Sequence, residues 1–245
     1  MVLVRTTKGV IMKRKALSEF FASGGPLSDC FGQYEPREGQ VKMAHAVMDA
    51  LTYDQEVLAA CKILVVEAGT GIGKTLAYLV PSVLSGRKVI ISTATLNLQD
   101  QILNKDIPLL EKAMGTSLSA FCVKGRQNYL CLYRWYQYRS NPQLSLIEDP
   151  RIKKVDKWLK KTDSGDRAEL EWLEDNGGGF WFKISAHSGQ CMGGDCPESS
   201  GCFVNSMRRR AGNAQLLIVN HSLFFSDLAV RRSGFGEVLP RCECV

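Results

Sequence analysis

Nine consecutive residues, Glu67-Ala68-Gly69-Thr70-Gly71-Ile72-Gly73-Lys74-Thr75, carry what the phosphate chain of a nucleotide requires of a protein. They fit the phosphate-binding loop with Ala68 in place of its first glycine. Gly69, Gly71 and Gly73 let backbone N–H groups converge on phosphate oxygens. Lys74 supplies a mobile positive charge for the β and γ oxygens, and the Thr75 hydroxyl is suited to ligate Mg²⁺. A helix opening at Lys74 would add the partial positive charge of its N-terminus. The bland alternative is a chance glycine-rich turn. It is disfavoured because the loop follows an apolar strand-like run, Lys62-Ile63-Leu64-Val65-Val66, and precedes a helical pattern. The loop alone announces a nucleoside triphosphate and not the machine that uses it.

The second chemical cluster is made of thiols. Cys131 closes the segment Lys124-Gly125-Arg126-Gln127-Asn128-Tyr129-Leu130-Cys131, and Cys191, Cys196 and Cys202 follow with four and five residues between them, broken by Gly193-Gly194 and Pro197. Such a turn-rich stretch can wrap three thiolates round one centre while Cys131 closes the fourth position. Four thiolates suit either an iron–sulfur cluster or a structural Zn²⁺. The lack of a tight C-x₂-C knuckle counts against zinc. His187, close before Cys191, counts for it as a substitute for Cys131. Plain buried thiols are a third reading, poorly matched to so polar a region. Cys61 and Cys122 adjoin apolar runs and read as core, and Cys30, Cys242 and Cys244 stay unassigned.

These sites need a scaffold. Apolar residues at helical spacing run from Glu38 to Cys61, and a helix is expected over Leu76–Leu84. Lys88-Val89-Ile90-Ile91-Ser92-Thr93 reads as a buried strand. Strand, loop, helix and strand make a βαβ unit and hence a parallel sheet. A helix broken by Pro108 is expected over Leu96–Leu110, and a strand over Leu118–Val123. From about Lys124 to Arg210 this rhythm is replaced by aromatics, charges and glycines, which marks an insertion. The alternation returns as a strand over Gln215–Asn220, a helix over Ser222–Val230, and the start of a further strand at Cys242–Val245.

Composition narrows the classes. The 245 residues are 45% hydrophobic and 23% charged, with 22 glycines and 8 prolines, a profile of a globular chain and not a disordered or collagenous one. No apolar run is long enough to span a membrane. The apolar start precedes its basic residues, the reverse of a secretory signal. A cytoplasmic location is therefore expected, and nine cysteines, an odd number, argue for metal and against a disulfide framework. The net charge of +6 is moderate and decides little.

The phosphate loop and the thiols together, in this order, resemble the iron–sulfur DNA helicases of superfamily 2, the XPD/DinG class, most closely its bacterial DinG/YoaA-like branch. The resemblance covers nearly the whole chain. Tyr34-Glu35-Pro36-Arg37-Glu38-Gly39-Gln40 is similar to the adenine-contacting Q-type motif, with Gln40 the matching residue. Glu67–Thr75 matches motif I. Ser92-Thr93-Ala94-Thr95-Leu96 with Leu98-Gln99-Asp100-Gln101 matches motif Ia, and Val219-Asn220-His221-Ser222-Leu223-Phe224 looks like the stretch ahead of motif II.

The resemblance implies a RecA-like motor domain with a parallel sheet, carrying an inserted, mostly helical and irregular domain. The expected divisions are a lead-in at 1–33, motor at 34–123, cluster domain at 124–207 and a return to the motor at 208–245. It implies ATP and Mg²⁺ held by Gln40, Ala68, Gly69, Thr70, Gly71, Ile72, Gly73, Lys74 and Thr75. Lys74 and Thr75 would act in catalysis. It implies a 4Fe–4S cluster on Cys131, Cys191, Cys196 and Cys202, and ATP-driven 5′ to 3′ unwinding in DNA repair or replication. Single-stranded and branched DNA are the implied partners, with replication or repair proteins besides, and the chain would act as a monomer.

Arg126, Tyr129, Tyr133, Arg134, Trp135, Tyr136 and Tyr138 interleave charge and aromatic faces as a single-strand stacking surface does. One by one, core packing is an equal alternative. Arg208-Arg209-Arg210 could meet phosphates. His221, just after a strand, reads first as a hydrogen-bonded structural histidine.

The departure from the family lies at the end of the chain: the Asp-Glu-Ala-His motif and the second motor domain are not in this sequence. A fragment that binds but does not hydrolyse ATP is the expectation. Two competitors remain: a metal-stabilised single-strand-binding module with a vestigial loop, and a zinc-stabilised P-loop ATPase of another family.

Overall fold

The computed structural model describes residues 7–52, 62–140, 149–173, 178–234 and 237–245. Cys61 and the end of the helix expected to reach it lie outside the described residues. The chain divides into two compact units. The first is Met1–Cys122 with Asn213–Phe235 and Arg241–Val245, and the second is Val123–Gly212 with Gly236–Pro240.

The first unit is α/β. Helices α1 (Thr7–Phe20), α2 (Glu38–Leu51) and α3 (Lys74–Ser85) precede strand β1 (Val89–Thr93). Helix α4 (Leu96–Gln101), a π-helical turn at Ile102–Asp106 and α5 (Ile107–Met114) lead to β2 (Ala120–Cys122). After the second unit come β3 (Leu216–Asn220) and α10 (His221–Arg232). The three strands are parallel in the order β1-β3-β2, with Val89 opposite Leu216 and Ala120 opposite Leu216 on the other edge. The central position of β3 explains its composition. A strand with a neighbour on each side and helices over both faces has no wet face, so Leu216, Leu217, Ile218 and Val219 are all buried.

The core of this unit joins Leu17 and Phe21 of α1, Ala44 and Met48 of α2, Ala77 and Val80 of α3, and Val89, Ile91, Leu216 and Ile218 of the sheet. Helix α3 ends at Gly86, whose φ of +71° forms the left-handed C-cap, with its N–H on the Val83 carbonyl. Pro108 does not break a helix as expected. It sits in the first turn of α5, where its missing N–H costs nothing, and the irregularity falls instead on the π turn before it.

Two strand expectations have different outcomes. At Cys242–Val245, Cys244 bridges Val89 in parallel, the Ile90 N–H donates to the Cys244 carbonyl at 2.9 Å, and the Glu243 N–H donates to the Lys88 carbonyl at 2.9 Å. The run Lys62–Val66 is not a strand: Ile63 is 83% and Val65 88% exposed. Its apolar composition suits a ladder, but it pairs with neither edge of the described sheet, and a strand without a ladder has nothing to hold it extended.

The second unit is built on α6 (Leu132–Arg139), α7 (Pro150–Leu159), α8 (Gly178–Ile184) and α9 (Phe203–Asn213), with short 3-10 turns at Arg167–Glu169, Ser188–Gln190 and Gly193–Asp195. Its core gathers Leu130, Trp135, Val155, Leu170, Phe180, Trp181 and Ile184. Among the described residues no helix is long and apolar enough to cross a membrane.

Candidate functional site

The phosphate loop lies in the first unit, ahead of α3. Gly71 and Gly73 take φ of +81° and +87°, a region closed to most side chains. Gly73 is the N-cap of α3, so the loop delivers the helix N-terminus next to Lys74 and Thr75. The Lys74 ammonium donates to the carbonyls of Ala68 at 3.1 Å and Gly69 at 2.7 Å, folded onto its own loop. Two residues of the Q-type segment reach the same loop. The Gln40 Nε2 donates to the Gly73 carbonyl at 2.9 Å, and the Arg37 guanidinium donates to the Gly71 carbonyl. Gln40 is only 5% exposed, so in this structure its amide holds the loop from beneath and does not stand open to a base.

A methyl group on Gly73 would run into that Gln40 amide as well as a disfavoured φ. Gly73→Ala is expected to destabilise the first unit by about 1–2 kcal/mol from the left-handed backbone alone. Urea unfolding reads this as a lower midpoint at unchanged slope.

Two residues near Thr75 escaped the sequence reading. The Tyr78 phenol has its pKa pushed up by burial, tempered by a hydrogen bond with Thr75, and the nearby Asp106 carboxylate adds to the rise. Burial raises the pKa of Asp106 too, against hydrogen bonding from Gln101 and the charge of Lys105. No local sequence signal marks this pair, since their proximity joins α3 to a π turn almost thirty positions on. His221 meets its structural reading: its Nδ1 shares a 2.7 Å hydrogen bond with the Ser92 hydroxyl, between neighbouring strands' C-terminal ends.

In the second unit all four expected thiols, Cys131, Cys191, Cys196 and Cys202, line one cavity of about 70 Å³. The backbone explains their meeting. The Cys131 N–H donates to the Ile184 carbonyl and the Ala186 N–H to the Tyr129 carbonyl, both at 2.9 Å, which ties the start of α6 to the segment entering the cysteine loop. Cys131 is the N-cap of α6. Burial pushes its thiol pKa up, N–H groups of Arg134 and Tyr133 pull it down, and Cys196 and Cys202 push it up further. Cys191 and Cys196 each follow a 3-10 turn, the latter opened by Gly193 at φ +60°. Cys202 immediately precedes α9 and accepts the Ser206 N–H at 3.0 Å.

His187 also lines the cavity, but its Nε2 is taken by the Ser185 hydroxyl and the Phe182 carbonyl, each at 3.1 Å. Among the described residues no three His, Cys, Asp or Glu side chains converge on one metal-ion position. The thiols surround a space. None of residues 187–202 is buried.

The expected stacking surface divides. Tyr129 at 3% and Trp135 at 0% exposure are core. Tyr138 packs on Trp135, with ring centroids 6.3 Å apart, and edge-on to Phe180. A helix carrying so many aromatics must bury one face of them to cover the unit's core. Tyr136 stays outside, while Tyr133, Arg126 and Arg134 line the thiol cavity. Arg208, Arg209 and Arg210 are exposed on α9.

No protein-family model matches the chain. It is 41% identical over 233 residues to the ATP-dependent DNA helicase YoaA of Haemophilus influenzae, across 94% of this chain and 35% of that protein. It is 36% identical to YoaA of Escherichia coli across 93% of this chain and 35% of the relative. It is 33% identical to the ATP-dependent helicase DinG of Mycobacterium tuberculosis across 83% and 32%. The chain thus spans about a third of the length of these relatives. At 33–41% identity over most of its length, the chain is similar to a part of the YoaA and DinG helicases.

Proposed function

We propose that this chain is the nucleotide-binding and cluster-bearing part of an ATP-dependent DNA helicase that unwinds 5′ to 3′ in repair or replication. The first unit is the first motor domain, RecA-like, and the second unit is the inserted cluster domain. Lys74 leaves the carbonyls of Ala68 and Gly69 for the β and γ phosphates of ATP, the Gly71–Gly73 backbone cradles them, and Thr75 ligates Mg²⁺. Arg37 and Gln40 keep the loop's carbonyls turned inward so that its N–H groups face the ligand. Tyr136 offers a face to a single-strand base, and Arg208 and Arg209 offer charge to phosphates.

The observation that carries the reading is the unburied stretch 187–202. Ordering a backbone costs about 1–2 kcal/mol per residue, and this stretch has no fully buried side chain, only half-buried ones such as Cys196 and Cys202, to offset it. Thiolate coordination supplies what is missing, because a metal site's binding energy is folding energy. The donor set fits a 4Fe–4S cluster on Cys131, Cys191, Cys196 and Cys202. A single Zn²⁺ holds its sulfurs about 2.3 Å from one point, whereas a four-iron cube holds each thiolate at its own corner and suits thiols ringed about a cavity. When bound, such a group serves as a structural brace.

The test is iron, acid-labile sulfide and zinc analysis with a visible spectrum on the chain purified without oxygen. About four iron and four sulfide per chain is the expected result. Zinc in their place overturns the cluster and leaves a zinc-stabilised P-loop protein.

A further inference from the structure

Arg134 stands in an arrangement that packing alone does not explain. It lies in the first turn of α6, three residues after Cys131, and it lines the thiol cavity. Its guanidinium is held along one edge: Nε donates to the Lys183 carbonyl at 3.0 Å and Nη2 to the Phe182 carbonyl at 2.8 Å, both in the last turn of α8. The Phe182 ring lies 5.9 Å from its carbon centre. The remaining nitrogen, Nη1, is buried and has no partner among the described residues. A buried guanidinium N–H left unpaired costs at least about 1–3 kcal/mol, more for a charged group. A fixed cationic donor without an acceptor beside four thiols is therefore half of an interaction.

We infer that Arg134 is a positioning residue for the group the four thiols hold, donating from Nη1 to one of its sulfurs and placing a fixed positive charge against an anionic thiolate-bound centre. This rests on the cluster reading proposed above. Hydrogen bonds to cluster sulfurs and nearby charge are among the factors that set an iron–sulfur centre's reduction potential. The same contact couples the cluster to α8, since the fork that aims Nη1 is the one that caps the carbonyls of Phe182 and Lys183. Lysine does not replace it: one ammonium keeps the charge but cannot hold both carbonyls and the third partner in one plane.

The test uses the full chain, purified without oxygen, as wild type, Arg134→Gln, Arg134→Lys and Arg209→Gln. The readouts are iron content, the one-electron midpoint potential of the cluster, and the rate of iron release to a chelator. Arg134→Gln is expected to bind the electron about tenfold more weakly, a midpoint lower by about 59 mV. Arg134→Lys is expected to fall between it and wild type. Arg209→Gln, which removes an exposed charge from α9, is expected to shift the electron affinity less than threefold. If Arg134→Gln does not retain its iron, the Lys variant decides: release several-fold faster than wild type supports the inference, and an equal rate overturns it. A loaded Arg134→Gln chain with the wild-type midpoint removes the role of Arg134 and leaves the cluster standing. A wild-type chain without iron and sulfide overturns both.

Discussion

Lys74→Ala is expected to lower the affinity of this chain for ATP roughly a hundredfold while leaving both units folded. In the proposed function Lys74 is the cation that meets the phosphates, and truncating one partner of a hydrogen-bonded charge pair costs about 2–5 kcal/mol. Among the described residues its hydrogen-bond partners are the carbonyls of its own loop, Ala68 and Gly69. Losing those two bonds touches no core residue, so the unfolding midpoint should move little. The loss must therefore show in binding, read by titration with a fluorescent ATP analogue in Mg²⁺. Gly73→Ala gives the contrast: it strains the loop itself, so stability and binding should fall together. Equal affinity in wild type and Lys74→Ala would show that the loop does not hold phosphates, and the chain would then be read as a nucleic-acid-binding module with a vestigial loop.

How much of this could be read from residues alone depended on how local each cause was. The backbone of the candidate phosphate loop was legible because its demands fall on consecutive positions: glycines where φ is positive, at Gly71 and Gly73, then a helix start at Lys74. Strands β1 and β3 were legible because a strand buried on both faces must be apolar throughout. Lys62–Val66 has the same composition and failed, since a strand also needs a partner, and pairing is not written in the segment itself. Pro108 was visible but ambiguous, as the same ring that breaks a helix interior is at home in a first turn. On α6, eight residues long, two turns are too few to phase its aromatics. Spacing therefore did not separate Trp135, in the core, from Tyr136, outside. The positions of Cys131, Cys191, Cys196 and Cys202 were readable as a set, but not the Arg134 fork. That fork depends on carbonyls 48 and 49 positions further on.

The largest structural effect is expected from Cys191→Ser. Residues 187–202 run through two 3-10 turns whose closing hydrogen bonds at Cys191 and Cys196 are long, 3.4 Å each. Hydrogen bonds of that kind contribute about 1 kcal/mol or less apiece, far below the ordering cost of the stretch. The core of the second unit, around Trp135, Trp181 and Ile184, is tied to this stretch through Ala186 and Cys131. Serine keeps the volume of Cys191 but does not replace its thiolate. The variant should lose its iron and sulfide, and amide exchange over residues 187–202 should become unprotected. Protection in β1, β3 and α3 should persist, because the first unit has its own core. The two halves of the result separate two roles. Iron lost with the 187–202 amides still protected would mean the stretch folds without the metal, and full iron retention would remove Cys191 from the ligand set. Iron and order lost together is the outcome that ties the fold of the second unit to its thiols.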